Sequence, residues 1–243
     1  MSARILSGKE PAHDILASVK DDIRKLDPKL VVVQVGRDPA SDSYIRKKLE
    51  SCAAVGMRSE HHRFEDDVTF EELMAEIKSL NADEDVTGFI IQLPLPKHLE
   101  EKQPQLFRAI DPYKDVDGFT AYNLGKALIS TEFEHLPPAT PAGVVAMLEF
   151  YDVPVASKHV VVIGQSNIVG KPISVMLMNR GATVTMCHAA TKDLAHFTKQ
   201  ADILISAVGK NSMITADMVK DGAVLIDIGM SRHTDGHMSG DKD

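Results

Sequence analysis

At 243 residues, 44% of them hydrophobic and 26% charged, the chain has the composition of a soluble globular protein, with room for one large domain or two small ones. A formal net charge of −8, with no lysine or arginine cluster to follow a phosphate backbone, argues against nucleic acid as a partner. No apolar signal core opens the chain and no run reaches the roughly 18 apolar residues of a membrane span, so no membrane association is expected; Cys52 and Cys187, outside any C-x-x-C spacing, fit free thiols in a cytoplasmic protein.

Ser7-Gly-Lys-Glu10 reads as a capping box, and Ile15, Leu16, Val19, Ile23 and Leu26 follow at helical spacing up to Pro28. Leu30-Val-Val-Val-Gln-Val35 reads as the first buried strand, with Gly36 to Ala40 as its exit loop. The next helix is expected to begin at Ser41 or Asp42 and to run to about Val55, with Ile45, Leu49 and Cys52 toward the core. Tyr44 and Lys48 share another face of that helix, over the C-terminal end of the preceding strand, where ligands bind in open α/β sheets. Taken alone, the pair reads as a solvated i,i+4 surface pair.

A polar strand from Ser59 to Phe64 carries His61 and His62 on alternate faces, without a carboxylate at ligand spacing, so no metal is expected. Thr69-Phe-Glu-Glu72 is a second capping box, opening a helix through Leu73, Ile77 and Leu80. Val86 to Pro96 is the next buried strand. Gln92, near its end, needs a hydrogen-bond partner if buried, and it falls at the same sheet edge as Tyr44 and Lys48. The loop Asp111-Pro-Tyr-Lys-Asp-Val-Asp-Gly118 then sets three carboxylates ahead of a glycine.

Leu136-Pro-Pro-Ala-Thr-Pro-Ala-Gly143 marks a domain boundary, giving one domain over 1–138 and a second over 139–243. A helix with Val144, Val145 and Leu148 inward leads to a strand at Val160 to Ile163. Gly164 permits a sharp turn, and Pro172 stands where a helix can start. Strand, glycine turn and helix N-terminus together make an anion site of the dinucleotide-binding kind. The spacing Gly164-x-Ser166-x-x-x-Gly170 departs from G-x-G-x-x-G, with serine as the second glycine and the last one residue late. A helix from Ile173 to Arg180, a strand Thr183 to Cys187, a helix Lys192 to Gln200, a strand Asp202 to Gly209, a short helix Thr215 to Lys220 and a strand Ala223 to Ile228 complete the alternation. The fold class is α/β: two α/β domains, the C-terminal one a Rossmann-like doubly wound parallel sheet.

Tyr44-x-x-x-Lys48, Gln92-Leu-Pro-Leu-Pro96, Lys114-Asp-Val-Asp-Gly118, Thr140-Pro-x-Gly143 and Gly164-x-Ser-x-Ile-Val-Gly-x-Pro172 occur in this order. Together they closely resemble the methylenetetrahydrofolate dehydrogenase/cyclohydrolase family, and the resemblance covers essentially the whole chain. It implies a homodimer, an active-site cleft between the two domains, and two successive reactions of cytoplasmic one-carbon metabolism that supply purine biosynthesis. Hydride passes from 5,10-methylene-tetrahydrofolate to NADP or NAD, and water opens the resulting methenyl cation to 10-formyl-tetrahydrofolate. A different dehydrogenase, of the amino-acid or shikimate type, would share the layout but not the Gln92 and Lys114 motifs.

The resemblance also implies roles. Lys48 transfers a proton or polarises the attacking water, and burial favours the neutral amine that a base requires. Gln92 holds that amine without a countercharge, Tyr44 offers a face to the aminobenzoyl ring, and Asp117 accepts hydrogen bonds from the pterin. Ser41, Leu93 and Pro94 complete the substrate site. The cofactor falls to Thr140, Gly164, Gln165, Ser166, Ile168, Val169, Gly170, Pro172, His188, Ala207, Val208 and Gly209. No acid follows Cys187 to bind a ribose 2′-hydroxyl or repel a 2′-phosphate, which favours NADP over NAD, with His188 or Lys192 as the positive charge. The chain departs from the family pattern in Ala139, where a cysteine is common, and in Gln165, where NADP-dependent relatives often carry arginine. The family's Pro-Gly-Gly-Val-Gly-Pro segment and final helix have no counterpart before Asp243. A protein lacking them would be expected to keep the cyclohydrolase alone, or folate binding without turnover, because hydride transfer needs the nicotinamide at near-attack distance.

Overall fold

The computed structural model describes residues 4–210, 213–229, 231–232 and 238–239. Helices α1 (Lys9–Ser18) and α2 (Lys20–Leu26) precede β1 (Lys29–Val35), α3 (Pro39–Val55), β2 (Arg58–Phe64), α4 (Phe70–Ala82) and β3 (Gly88–Ile91). Three short helices follow, α5 (Lys97–Glu100), α6 (Gln103–Ala109) and α7 (Ala121–Ile129). Then come α8 (Ala139–Phe150), β4 (His159–Ile163), α9 (Gly170–Asn179), β5 (Thr183–Cys187), α10 (Leu194–Thr198), β6 (Ile203–Ser206), β7 (Val224–Asp227) and the antiparallel pair β8 (Ser231–Arg232) and β9 (Met238–Ser239). The chain divides into two compact units that part after Asn123, within α7 and upstream of the proline-rich segment at 136–143.

In the first unit β2, β1 and β3 form a parallel sheet in that order. Alternate residues of a strand face opposite sides. Val31, Val33, Phe89 and Ile91 therefore pack with Leu73 and Ile77 of α4 and Leu106 of α6, while Val32 and Ile90 meet Ile45 and Cys52 of α3. Covered on both faces, β1 is apolar apart from Lys29 at its start and Gln34. Each fully buried side chain of this size stabilises the fold by about 1.5–3 kcal/mol.

The second unit has the parallel order β5-β4-β6-β7. Val160, Val162, Ile203 and Ile205 pack on α8 and α9, and Val161, Ile163 and Leu204 on the opposite side with Ala201 and Ile214. In both sheets the chain leaves the central strand to one side and then returns to the other. The strand order reverses between β1 and β3 and between β4 and β6, and the C-terminal ends of such strands hold ligands in open α/β sheets.

Several boundaries differ from the sequence expectations, each for a local reason. Gly8, not Ser7, precedes α1, no side chain caps it, and Ser7 Oγ accepts instead from Lys9 N at 3.3 Å. The expected single helix breaks into two around Val19 and ends at Asp27, which adopts the left-handed conformation at φ 45°. Its stripe is also not core: Ile15 is 50% and Leu26 77% exposed. α3 starts earlier than Ser41, because Asp38 is the N-cap and Pro39 takes the first helical position, which needs no N–H. α8 begins at Ala139, so Thr140 and Gly143 are helical. α9 begins at Gly170 and holds Pro172 inside its first turn, where the N–H has no intrahelical acceptor in any case. The expected helix Lys192–Gln200 contracts to Leu194–Thr198 because Asp193 caps it, accepting from His196 N, and Thr215–Lys220 forms only one 3₁₀ turn, Ala216–Met218. The second capping box, Thr69 with Glu72, is formed as read.

Candidate active site

The edge of the first sheet gathers residues from α3, the segment after β3 and the loop before α7. Gln92 N donates to Val33 O at 2.8 Å, carrying the β3–β1 ladder one residue past the strand. The Gln92 amide is then oriented by its surroundings. Its Nε2 donates to Leu93 O at 2.8 Å, so Oε1 is left to accept from Lys48 Nζ at 3.1 Å. The carbonyl of Leu93, which precedes a cis peptide to Pro94, also accepts from Ser41 Oγ at 3.2 Å. Ser41 is 4% exposed, so it holds this turn rather than opening toward solvent. No other protein acceptor for Lys48 Nζ occurs among the described residues, which leaves its remaining N–H positions for a water or a substrate.

The start of α3 is anchored from behind by polar groups that sequence reasoning did not single out. Buried Gln34 donates through Nε2 to Asp42 Oδ1 at 2.8 Å and accepts at Oε1 from His61 Nε2 at 2.9 Å; Arg63 adds a 2.6 Å bond to Asp42. Burial, helped by the Arg63 charge, lowers the His61 pKa and keeps the ring neutral. The available signal was the lone glutamine in the apolar run of β1. Tyr44, one turn before Lys48, is 39% exposed and leaves part of its ring at the surface.

Asp117 comes from the loop after α6. Its carboxyl is half-buried, accepts no hydrogen bond among the described residues, and is pushed up to about 6, chiefly by burial. The negative charge of Asp115 adds to the rise and the positive charge of Lys48 opposes it. A desolvated carboxyl without a donor is costly for folding, and such groups cluster at functional sites. Lys48 therefore links Gln92 and Asp117, bonded to the first and electrostatically coupled to the second. A surface cavity of about 300 Å³ lined by Val35, Arg37, Asp38, Asp66 and Pro94 lies nearby, but it contains none of these three.

In the second unit, Gly164 has φ 116°, and a Cβ there would stand 2.6 Å from Ala207 O. A Cβ on Gly170 would stand 2.0 Å from Gly164 O. Only glycine fits at either position, and the close approach brings β4, the end of β6 and the N-terminus of α9 together. Ser166, in place of the middle glycine, accepts through Oγ from Val169 N at 3.1 Å and Gly170 N at 3.3 Å. The N–H groups of Gln165, Asn167 and Ile168 have no acceptor among the described residues and remain for an anion. After β5, His188 Nδ1 accepts from Ala190 N at 3.2 Å, and Thr191 closes the turn through bonds to His188 N and O. Thr140, His188, Val208 and Gly209 are exposed, as groups that meet a ligand must be. These residues fit a dinucleotide: the two glycines make a cradle that any side chain would fill. Among the described residues no group of three His, Cys, Asp or Glu is placed to hold a metal ion.

Two parallel α/β units, one with a polar cluster at its sheet edge and one with a glycine turn onto a helix N-terminus, define a two-domain enzyme of the nicotinamide-dinucleotide class. Family models place it further: the catalytic domain of tetrahydrofolate dehydrogenase/cyclohydrolase matches residues 6–117, and the NAD(P)-binding domain of the same family matches 138–243. The chain is 44% identical to a bifunctional FolD protein of Methanococcoides burtonii over 248 aligned residues, covering all of this chain and 85% of that one. Its fold superposes with a TM-score of 0.93 on the bifunctional FolD enzyme of Campylobacter jejuni, at 37% identity over 100% of this chain and 86% of that one. The Trypanosoma brucei FolD enzyme, solved with NADP and an inhibitor, gives 0.93 at 30% identity over 99% and 86%. The chain belongs to the tetrahydrofolate dehydrogenase/cyclohydrolase family, as a bifunctional enzyme of the FolD type.

Proposed function

We propose that the chain binds 5,10-methylene-tetrahydrofolate at Tyr44, Lys48, Gln92 and Asp117, oxidises it to the methenyl form with NADP, and hydrolyses that to 10-formyl-tetrahydrofolate. The observation that carries this reading is the Lys48 Nζ to Gln92 Oε1 bond, with Lys48 acting electrostatically on an Asp117 carboxyl that accepts no hydrogen bond among the described residues. Ionised, Asp117 accepts from the amino group and ring N–H of the pterin, and Tyr44 stacks on the aminobenzoyl ring. Leu93 and Pro94 line the substrate, and Ser41 acts by holding the Leu93 carbonyl. Lys48 orients the attacking water and carries the proton in the hydrolytic step, while Gln92 fixes the amine without adding charge.

Thr140, Gly164, Gln165, Ser166, Ile168, Val169, Gly170, Pro172, His188, Ala207, Val208 and Gly209 hold the cofactor, with the backbone of the 164–170 turn on its phosphates. When bound, NADP supplies the two-electron hydride acceptor. The absence of an acid after β5 supports NADP over NAD. We assign residues 1–138 to folate chemistry and 139–243 to the cofactor, and read the enzyme as a cytoplasmic homodimer serving one-carbon metabolism and purine biosynthesis, on the strength of its family.

NADPH formation on mixing methylene-tetrahydrofolate with NADP tests the first step, and decay of methenyl-tetrahydrofolate the second. Lys48→Met should slow that decay by about 100-fold or more, the usual worth of a positioned proton-transfer group. A folded protein with neither activity would refute the reading, and decay without NADPH formation would reduce it to the cyclohydrolase.

A further inference from the structure

Two acids stand two residues apart in the loop before α7, and the reading above uses only Asp117. The other, Asp115, is the more deeply buried, at 1% exposure. Its Oδ1 accepts from Phe119 N at 3.1 Å, and its Oδ2 accepts from Thr120 N at 2.8 Å and Asn123 Nδ2 at 3.0 Å. Three N–H donors thus occupy most of the acceptor positions of one buried carboxylate, so it serves the loop rather than a ligand. Asn123 Nδ2 also reaches Pro112 O at 2.9 Å, so one amide ties both ends of the loop to the first turn of α7.

The same loop is fastened to the strand that carries Gln92. Phe89 N donates to Lys114 O at 2.9 Å, and Val116 packs so closely over Gly88 that a Cβ there would lie 2.3 Å from its Cγ1. Lys114 Nζ donates to Leu80 O at 2.9 Å and Asp83 O at 2.6 Å, placing a cation at the C-terminal end of α4, where the helix dipole favours one. Lys114, Asp115 and Val116, which lead up to Asp117, are thus pinned, while the Asp117 carboxyl accepts no hydrogen bond among the described residues.

We propose that Asp115 is a positioning residue for folate recognition: its three hydrogen bonds hold the loop so that Asp117 stays in register with Gln92 and Lys48. This rests on Asp117 being the pterin's acceptor. The charged groups that Asp117 feels are Asp115 in its own loop and Lys48 of α3. Removing the Asp115 charge leaves burial and Lys48, so Asp117 ionises at a lower pH than in the native protein.

The test is steady-state kinetics of full-length Asp115→Asn, Asn123→Ala and Asp117→Asn with methylene-tetrahydrofolate and NADP, across pH. Loss of hydrogen bonds to a charged group predicts about a tenfold rise in the folate KM for Asp115→Asn and about threefold for Asn123→Ala, with kcat and the KM for NADP unchanged. In the native protein the folate KM rises as pH falls through about 6. In Asp115→Asn that rise moves to lower pH, and in Asn123→Ala, which keeps the charge, it stays in place. A native KM, or an unmoved pH limb, in folded Asp115→Asn overturns the proposal. If that variant does not fold, an unchanged KM in Asn123→Ala overturns it. A native KM in Asp117→Asn removes the pterin reading itself, and this inference with it.

Discussion

Lys48 Nζ and Gln92 Oε1 meet at 3.1 Å although 44 residues separate them in the chain. The contact exists because α3 lies against the end of β3, and because the Leu93 carbonyl holds the other end of the amide. Neither residue carries the arrangement alone.

Gln92→Glu therefore tests charge with almost no change of shape. A carboxylate 3.1 Å from the amine favours the ammonium form and holds the proton on Lys48. Methenyl-tetrahydrofolate hydrolysis is expected to fall by at least about tenfold at neutral pH, within the usual range for general acid–base groups. Gln92→Met, which is uncharged but cannot accept, separates loss of the hydrogen bond from gain of charge.

Asp117→Asn should trade activity for stability. The folded-state pKa of Asp117, about 6, lies above the ordinary carboxylate value, so folding works against its charge. That cost is full above pH 6, shrinks as pH falls toward 4, and vanishes once both states are protonated. The asparagine variant is expected to gain about 3 kcal/mol against urea at pH 8 and much less at pH 4, each pKa unit of the shift being worth about 1.4 kcal/mol. Urea titrations at the two pH values check this, and an equal gain at both would rule it out.

Gly170→Ala places a methyl group against Gly164 O, where an ideal Cβ would lie at 2.0 Å. Backbone must move to admit it. A loss of about 1–3 kcal/mol or more is expected, with NADP binding weakened more than folate binding because the displaced turn belongs to the second unit. Equilibrium binding of each ligand to the purified variant separates the two effects.

Arg180 and Glu134 form a two-pronged ion pair at 3.0 and 2.9 Å, and the Glu134 side chain is only 6% exposed. Arg180 NH1 also donates to Met176 O at 3.0 Å, near the end of α9. Arg180→Ala leaves a buried carboxylate without its partner and should cost about 3–5 kcal/mol. Glu134→Gln in the same background should recover part of that loss, as a double-mutant cycle by chemical denaturation would show.

Much of this protein is legible from its residues alone. The valine-rich run Leu30–Val35 and the β-branched run Val160–Ile163 read as strands covered on both faces, and both became interior strands of parallel sheets. Gly164 and Gly170 announce a turn that admits no side chain, and the ordered motifs point to one family. Periodicity reports which residues favour burial, but not whether anything covers them: Ile15 and Leu26 have helical spacing and remain exposed. The tertiary structure alone decided what the polar groups do. Asp115 and Asp117 are indistinguishable as letters in one loop; three backbone and side-chain N–H donors converge on the first, and none among the described residues reaches the second. Ser41 Oγ similarly donates to the Leu93 carbonyl across 52 residues of chain. Hydrogen-bond partners distant in sequence are set by how helices and loops close over a sheet edge, and that closure is a property of the packed chain rather than of any local stretch.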